Sequence, residues 1–138
     1  MNQRTLAIIK PDAVKRHFIG HVISTLELHE FKIIDMKMMH MTKEEAEELY
    51  KVHKGKHFYE AQTDFMSSGP CVVMILEGEN VIKRYRKLMG PANFEKADPG
   101  TIRHELATSI RHNIVHGSDS PESAKFEIGW FYNILKGD

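Results

Sequence analysis

His116 is the residue of this sequence best placed to act as a nucleophile. It follows the apolar pair Ile114-Val115 and precedes the turn-forming segment Gly117-Ser-Asp-Ser-Pro121. The β-branched pair favours a short strand that carries the imidazole to a sheet edge, and the glycine lets a substrate approach the backbone. The proline is typical of a first helical position, so Ser120 is the expected N-cap of a helix whose start favours an anion. The pattern predicts attack on an anionic substrate, with a turn histidine bonded to its neighbours as the alternative.

Three basic residues would form a polyphosphate site if the fold brought them to His116. Lys10 ends the first apolar run, Arg86 lies in a helical segment, and Arg103 belongs to Gly100-Thr-Ile-Arg103. Arginine offers a planar fork that binds phosphate oxygens bidentately, and lysine adds a compact charge. Each of them taken alone is more often a solvated surface charge. The three residues therefore predict phosphate binding only as a group.

The familiar backbone cradles for nucleotide phosphates are absent. Neither Gly-x-x-x-x-Gly-Lys-[Ser/Thr] nor Gly-x-Gly-x-x-Gly occurs, so side chains must hold any phosphate. The chain has nine histidines, but none forms a His-x-x-x-His pair within a glutamate-bearing zinc pattern, and no cysteine supports one. His17, His21 and His29 fall near the first long helix, and His53 and His57 flank the loop after the second. We expect most of the histidines to be surface or structural residues.

Composition limits the class of protein. The 138 residues predict a single domain over 1–138, and 19 basic against 19 acidic residues leave no overall field for nucleic acid or an anionic membrane. Cys71, the one cysteine, lies in an apolar run, which predicts a buried thiol and a reducing compartment. No apolar stretch has the length of a membrane span and no signal-peptide core follows Met1. We expect a cytoplasmic protein without a membrane or nucleic-acid partner.

Strands and helices alternate in the first half of the chain. Residues 6–9 form a short apolar strand that stops at Lys10-Pro11. Residues 20–30 carry one apolar helical face. In residues 32–40 apolar and polar side chains alternate, as a strand with one buried face requires. The helical face consists of Ile19, Val22, Ile23 and Leu26, and the inward side of the strand consists of Ile34, Met36 and Met38.

The second half continues the same alternation. Thr42 begins a capping box, so a helix starts at about residue 43, and a further short helix fits residues 58–68. Residues 71–76 predict a deeply buried strand, and Asn80 caps a helix that ends at Gly90-Pro91. Residues 91–112 are mostly polar and irregular, as in a functional loop. A strand at 114–116 precedes a helix with Ala124, Ile128 and Phe131 on one face. The order β-α-β-α-β-α-β predicts an antiparallel sheet with helices on one face.

Four segments give the chain a resemblance to the nucleoside diphosphate kinases over nearly its whole length. They are Ile9-Lys-Pro-Asp12, Ser68-Gly-Pro70, Pro99-Gly-Thr-Ile-Arg103 and, as the most specific, Asn113-Ile-Val-His-Gly-Ser-Asp-Ser120. The resemblance implies a ferredoxin-like α/β domain, an α+β sandwich in which helices cover a four-stranded antiparallel sheet. It implies transfer of the γ-phosphoryl group of a nucleoside triphosphate to a nucleoside diphosphate through a phosphohistidine. It also implies Mg²⁺ and a homo-oligomer, a tetramer or a hexamer.

The resemblance also implies catalytic roles. His116 would attack through a neutral ring nitrogen, with Glu127 and Ser118 orienting the imidazole. The phosphates would lie among Lys10 and three further residues and would carry the Mg²⁺, which keeps most of its waters. Those three residues are Tyr50, Arg86 and Arg103. We expect no direct protein ligand to the metal ion; Asp119 would reach it through water or serve only as a helix-start residue.

The implied nucleoside site lies beside the phosphates. Asn113 with Lys10 would bind the ribose hydroxyls, and Phe58 would stack on the base opposite Ile110. The sequence departs from the family at Ala92, where the usual threonine would bind phosphate, although Asn93 would partly substitute. The segment Lys54-Gly-Lys-His57 replaces an Arg-Pro or Lys-Pro pair, and Tyr59 stands where phenylalanine is common.

Two other classes of function fit parts of the pattern. A four-stranded sheet with helices on one face is also the plan of many RNA-binding domains, but residues 71–76 are aliphatic and no glycine-aromatic RNA-binding strand occurs. The other alternative is a catalytically weak relative that acts as a scaffold or regulator. It would need a broken site, whereas His116 and its matched neighbours are all present apart from the threonine that Ala92 replaces.

Overall fold

In the computed structural model, which describes residues 2–137, one four-stranded sheet organises the chain. The strands are β1 (Asn2–Ile9), β2 (Lys32–Met39), β3 (Cys71–Glu79) and β4 (Val115–Gly117). The helices are α1 (Pro11–Lys15), α2 (Ile19–Leu28), α3 (Lys43–Leu49), α4 (Tyr59–Met66), α5 (Val81–Met89), α6 (Ile102–Leu106) and α7 (Pro121–Gly137). Two 3₁₀ turns lie at Lys51–His53 and Phe94–Lys96.

The sheet has the order β2-β3-β1-β4, and each neighbouring pair is antiparallel. β1 pairs along its whole length with β3, and its last three residues also pair with the short β4, where Ile8 lies opposite His116. Because β1 ends beside β4, the chain leaving β1 at Lys10 lies next to the chain entering β4. The Lys10 N–H donates to the Ile114 carbonyl at 2.8 Å, which holds the two segments together.

Helices cover both faces of the sheet, so the prediction that they cover only one face was wrong. Ala7 and Ile9 of β1 face a core built with α2 and α5, whereas Leu6 and Ile8 face a second core built with α3, α4 and α7. The physical reason lies in β1 and β3, which are apolar at successive positions rather than at alternate ones and so need cover on both sides. The four-stranded antiparallel sheet covered by helices is confirmed, while the face that an RNA-binding sheet would leave open is buried.

The edge strand β2 departs from its predicted burial. Met36 and Met38, expected on the inward side, are 51% and 54% exposed. The pairing register of β2 with β3 shifts between Ile33 and Asp35, which displaces the alternation of the sequence, and no strand of the described chain covers the outer edge of β2. These two methionines therefore form an apolar surface rather than core.

Several boundaries also differ from the sequence predictions. β1 starts at Asn2 and β3 continues to Glu79, and the polar stretch 91–112 contains α6, whose N-cap Thr101 accepts a hydrogen bond from the His104 N–H. Asn80 is the N-cap residue of α5, as predicted, but it lies in a left-handed conformation with φ of 50° and its side chain makes no cap hydrogen bond. Among residues 2–137 no helix is both long and apolar enough to cross a membrane. The cytoplasmic location stays a prediction from the sequence.

Candidate active site

A strained residue delivers His116 to the site. Ile114 has φ of 77°, a left-handed conformation that a β-branched residue adopts at a cost of roughly 1–3 kcal/mol. Two hydrogen bonds hold it: its carbonyl accepts from the Lys10 N–H at 2.8 Å, and its N–H donates to Oδ2 of Asp12 at 3.1 Å. The predicted strand 114–116 therefore begins one residue later, at Val115, because the chain turns at Ile114.

His116 belongs to a chain of hydrogen bonds that starts at the backbone of β1. The Leu6 N–H donates to Oγ of Ser118 at 3.3 Å, and this hydroxyl donates to Oε1 of Glu127 at 2.9 Å. The same carboxylate oxygen lies 2.8 Å from Nε2 of His116. A carboxylate can only accept a hydrogen bond, so the neutral imidazole carries its proton on Nε2. The lone pair of Nδ1 is then available for nucleophilic attack.

Tyr85 supports the other side of the strand that carries the histidine. Its hydroxyl donates to the His116 carbonyl at 3.1 Å. A Cβ at Gly117 would lie 2.6 Å from the Tyr85 ring, so any other residue there would clash. Gly117, which was expected to let a substrate approach the backbone, instead lets α5 pack closely against β4.

A cleft of about 700 Å³ opens beside the histidine. Tyr50 lies between the cleft and the histidine. It lines the cleft, and its ring packs edge-on against the His116 ring with centroids 5.7 Å apart. Seven of the predicted site residues line this cleft, namely Lys10, Tyr50, Phe58, Ala92, Arg103, Ile110 and Asn113. Residues far apart in sequence therefore converge on one cleft.

Lys10 is the most deeply buried cation of the cleft wall, with 4% of its surface exposed. Its Nζ donates to Oδ1 of Asn113 at 2.7 Å, and the amide of Asn113 donates in turn to the Ile110 carbonyl at 2.8 Å. Burial, followed by the positive charge of Arg103, lowers the pKa of Lys10 to about 7, although the Asp12 carboxylate opposes the shift. A bound anion would restore the charge of this amine.

Arg103 braces the backbone around the site as well as lining the cleft. Its Nε, Nη1 and Nη2 donate to the carbonyls of Asn113 (3.3 Å), Gly90 (2.9 Å) and Val115 (2.8 Å). Guanidinium has five N–H donors, so these three bonds leave two for a ligand. Burial lowers the pKa of Arg103, yet an arginine at this depth remains charged.

Tyr50 presents an unused hydroxyl to the cleft. The hydroxyl is buried and makes no hydrogen bond of good geometry within the described part of the chain. Burial raises the pKa of Tyr50 well above its usual range, against a smaller opposing effect of the neighbouring Gln62 side chain, so the group stays protonated. A buried O–H without a partner is costly, and a ligand oxygen in the cleft would satisfy it.

Arg86 and Asp119 lie near the cleft without lining it. Arg86 is exposed, and its charge lowers the pKa of both Arg103 and Asp119. A hydrogen bond from Ser123 at 2.6 Å is the main cause of the lowered pKa of Asp119. Ser120 accepts from the Ser123 N–H at 3.1 Å, as its predicted N-cap role requires. Asp119 thus takes part in the start of α7, and its contact with a metal ion through water stays a prediction.

Five residues that were not predicted as site residues also line the cleft, namely His53, His57, Gln62, Ser109 and Arg111. His57 is exposed and His53 half-buried, which fits the expectation that most of the histidines are surface or structural residues, and both also line the cleft. His53 packs against Phe58 with ring centroids 5.3 Å apart, and His57 meets the same ring edge-on at 5.5 Å. The signal was available, because both histidines lie within five residues of the predicted base-stacking phenylalanine.

Asn93 does not take the place of the missing threonine. Its Oδ1 accepts from the Glu95 N–H at 3.2 Å, where it caps a 3₁₀ turn, and only its neighbour Ala92 lines the cleft. The expectation that Asn93 partly substitutes for the threonine was therefore wrong. At this position the cleft is lined by the methyl group of Ala92.

A larger groove of about 880 Å³ lies between α3 and α7. Four glutamates and one lysine line it beside an apolar floor, namely Glu44, Glu45, Glu48, Glu122 and Lys125. An excess of carboxylates repels a polyphosphate, so this groove does not compete with the cleft beside His116.

Comparison with known proteins points in one direction. A family model described as nucleoside diphosphate kinase matches residues 3–135. A nucleoside diphosphate kinase of Desulfosudis oleivorans is 56% identical over 134 residues, which make up 97% of this chain and 96% of that protein. One of Geotalea daltonii is 52% identical over 134 residues, 97% of this chain and 98% of that protein.

Solved structures agree with the sequence comparison. A crystal form of the Aquifex aeolicus nucleoside diphosphate kinase superimposes with a TM-score of 0.92 at 41% identity and covers 95% of both chains. A halophilic nucleoside diphosphate kinase from Halobacterium salinarum, in complex with CDP, gives a TM-score of 0.91 at 35% identity over 95% of this chain and 88% of that one.

Proposed function

The chain belongs to the nucleoside diphosphate kinase family, and we propose that it moves the γ-phosphoryl group of a nucleoside triphosphate to a nucleoside diphosphate through His116. One observation carries the proposal: Glu127 holds Nε2 of the imidazole at 2.8 Å, which leaves the Nδ1 lone pair to attack phosphorus. The CDP bound to the halophilic relative supports a nucleotide as the occupant of such a cleft.

The reaction divides into two displacements. In the first, Nδ1 forms a bond to the γ-phosphorus while the bond from that phosphorus to the bridging oxygen breaks, and the nucleoside diphosphate leaves with the bonding electrons. The phosphorylated imidazole keeps its proton on Nε2, and Glu127 offsets the positive charge of the ring. In the second, a terminal phosphate oxygen of another nucleoside diphosphate attacks the same phosphorus, and the N–P bond breaks to restore the neutral histidine. The kinetics are therefore ping-pong.

The cleft residues divide between phosphate and nucleoside. Lys10 and the two free N–H groups of Arg103 offset the charge of the phosphates, with Arg86 at the rim, and the Tyr50 hydroxyl donates to a phosphate oxygen. Asn113, together with Lys10, binds the ribose hydroxyls. Phe58 stacks on the base with Ile110 opposite, an arrangement that accepts every base because each has a π-face.

Mg²⁺ is the expected cofactor, bound through the nucleotide rather than by a protein cage. Within residues 2–137 no three histidine, cysteine, aspartate or glutamate side chains come together to hold a metal ion, whereas Lys10 and Arg103 line the cleft. This donor set fits an ion that arrives on phosphate oxygens with its waters, with Asp119 as a contact through water. When bound, the ion neutralises part of the phosphate charge.

Residues 1–138 act as one domain in this proposal, and the domain assembles into a homotetramer or homohexamer. Support for assembly comes from the exposed Met36 and Met38 on the open edge strand β2, since such an edge favours pairing with a second chain. Sedimentation velocity on the purified protein would give the mass of four or six chains; a monomer at micromolar concentration would overturn the assembly proposal. The scaffold alternative is not favoured, because the site residues apart from the missing threonine line one cleft or lie beside it.

Phosphoryl transfer is tested by incubating the protein with γ-labelled ATP and Mg²⁺. We expect covalent label that is acid-labile and alkali-stable, as phosphohistidine is, and that GDP discharges. His116→Ala should abolish the label, while His29→Ala, at an exposed histidine after α2, should retain it. A folded His116→Ala protein that still takes up the label would reject His116 as the nucleophile.

A further inference from the structure

The loop of residues 108–112, which forms one end of the cleft wall, is held by hydrogen bonds at both of its ends. The Thr108 N–H donates to the His112 carbonyl at 3.0 Å, and the His112 N–H donates to Oγ of Ser109 at 2.9 Å. The His112 ring packs edge-on against Phe65 with centroids 4.8 Å apart. The loop therefore presents its two central residues, Ile110 and Arg111, from a fixed backbone.

A third anchor links this loop to the phosphate end of the cleft. The Asn113 side chain donates to the Ile110 carbonyl at 2.8 Å and accepts from Lys10 at 2.7 Å. Ile110, although 64% exposed, lines the cleft together with Phe58. An apolar side chain held at the surface of a cleft that also holds an aromatic ring fits a flat ligand group, and Arg111 comes next in the chain.

Arg111 lines the cleft with its hydrogen-bonding capacity unused. It is exposed, and its side chain makes no hydrogen bond, ion pair or ring contact with any residue from 2 to 137. Its five N–H donors are thus free, and its planar fork matches a pair of neighbouring acceptor atoms. Phosphate binding does not need it, because Lys10 and Arg103 lie at the far end of the Asn113 link.

Resting on the function proposed above, we propose that Arg111 reads the edge of the nucleobase and gives the enzyme a preference for guanine over adenine. A base held between Phe58 and Ile110 has its faces covered and its edges free. Of the two common purines, only guanine offers two adjacent acceptors, O6 and N7, to one guanidinium, whereas adenine replaces O6 by an amino donor. Stacking admits every base, and Arg111 distinguishes the two purines.

The preference is measured by discharging preformed phosphoenzyme with limiting amounts of different nucleoside diphosphates, which removes competition at the donor step. We expect GDP and IDP to react about three- to tenfold faster than ADP, the lower end reflecting the exposure of Arg111 to solvent. IDP keeps O6 and N7 and lacks only the 2-amino group, so it should match GDP. The 7-deaza analogue of GDP lacks N7 and should fall towards ADP.

Variants separate the arginine fork from its charge. In Arg111→Met the rates for GDP and ADP should become equal within about twofold, and in Arg111→Lys, which keeps the charge, the preference should also be lost. Lys125→Met removes one exposed charge from the groove between α3 and α7 and should leave the ratio unchanged. An equal change for all diphosphates in Arg111→Met, or an undiminished preference in Arg111→Lys, would overturn the base-reading role. Failure of every diphosphate to discharge the wild-type protein would instead reject the proposed function.

Discussion

Oε1 of Glu127 lies 2.8 Å from Nε2 of His116, and the same oxygen accepts a hydrogen bond from Ser118 at 2.9 Å. One carboxylate oxygen thus fixes the tautomer of the histidine while the hydroxyl, itself bonded to the Leu6 N–H, fixes the carboxylate. The nucleophile is oriented from β1, an interior strand of the sheet, rather than from a loop. Small changes in this chain of bonds should therefore affect turnover before they affect nucleotide binding.

Glu127→Gln should lower kcat by about 10- to 100-fold, by analogy with the loss seen when a group that orients a metal-bound imidazole is changed. The amide keeps the size of the side chain but removes the charge that offsets the phosphorylated ring. KM should change little, since Glu127 does not line the cleft. Steady-state kinetics with ATP and GDP would measure both, and a Glu127→Gln enzyme with the full wild-type kcat would contradict the role.

Gly117→Ala should destabilise the fold by about 1–3 kcal/mol, because the new methyl group would lie 2.6 Å from the Tyr85 ring. Gly129→Ala in α7 is the matched control: its methyl group meets nothing within 4 Å, and alanine stabilises a helix interior by roughly 0.5–1 kcal/mol. Urea unfolding would give both free energies. Equal stability of the two variants would show that the contact between Gly117 and Tyr85 is not tight.

Lys10 should make the free energy of unfolding rise with pH above about 7. The folded-state pKa of about 7 lies below the ordinary 10.5, so between these values the unfolded chain binds more protons than the folded one. The folded protein consequently gains stability relative to the unfolded chain as pH rises through this window, and below pH 7 the full burial penalty applies. We compare wild type with Lys10→Met at several pH values, because other groups titrate alike in both. If the difference in unfolding free energy between the two proteins did not vary from pH 7 to 10, the lowered pKa of Lys10 would be rejected.

Nucleotide binding should be accompanied by proton uptake at pH 8. A polyphosphate beside Lys10 favours the charged amine and raises its pKa above the value of about 7 in the free protein. Calorimetric titration with ADP in buffers of different ionisation enthalpy measures the protons taken up per nucleotide. The uptake should disappear in Lys10→Met, and an equal uptake in that variant would assign the proton to another group.

Ala92→Thr should tighten nucleotide binding. Ala92 lines the cleft, and a hydroxyl there would donate to a phosphate oxygen, a bond worth roughly 1.5–3 kcal/mol when buried and less at an exposed position. We expect the Kd for ADP to fall about three- to tenfold, as measured by titration calorimetry. Ala92→Val adds the same bulk without the hydroxyl and should leave the affinity unchanged or weaker. If valine tightened binding as much as threonine, bulk rather than the hydrogen bond would be responsible.

Local features of the chain were determined by the sequence itself. The capping box at Thr42 has both of its hydrogen bonds, and Ser120 caps the helix that Pro121 begins. The apolar face of α2 buries Val22 and Leu26 as its spacing predicts. These features depend on residues three or four positions apart, whose contacts follow from helix geometry alone. The residues around His116 by themselves predict a nucleophile for an anionic substrate, and their resemblance to the nucleoside diphosphate kinases implies the phosphohistidine.

Contacts between distant residues were decided only by the tertiary structure. Lys10 meets Asn113 across 103 positions because β1 and β4 pair, and no local pattern measures that pairing. The exposure of Met36 and Met38 depends on the register shift between β2 and β3 and on the position of β2 at the sheet edge. The cover of the second sheet face depends on where α7 packs. Arg103 was predicted as a phosphate ligand, but the fold uses most of its donors to brace three carbonyls. A sequence specifies which groups are available, and only the packing of distant segments determines which of them remain free to bind a ligand.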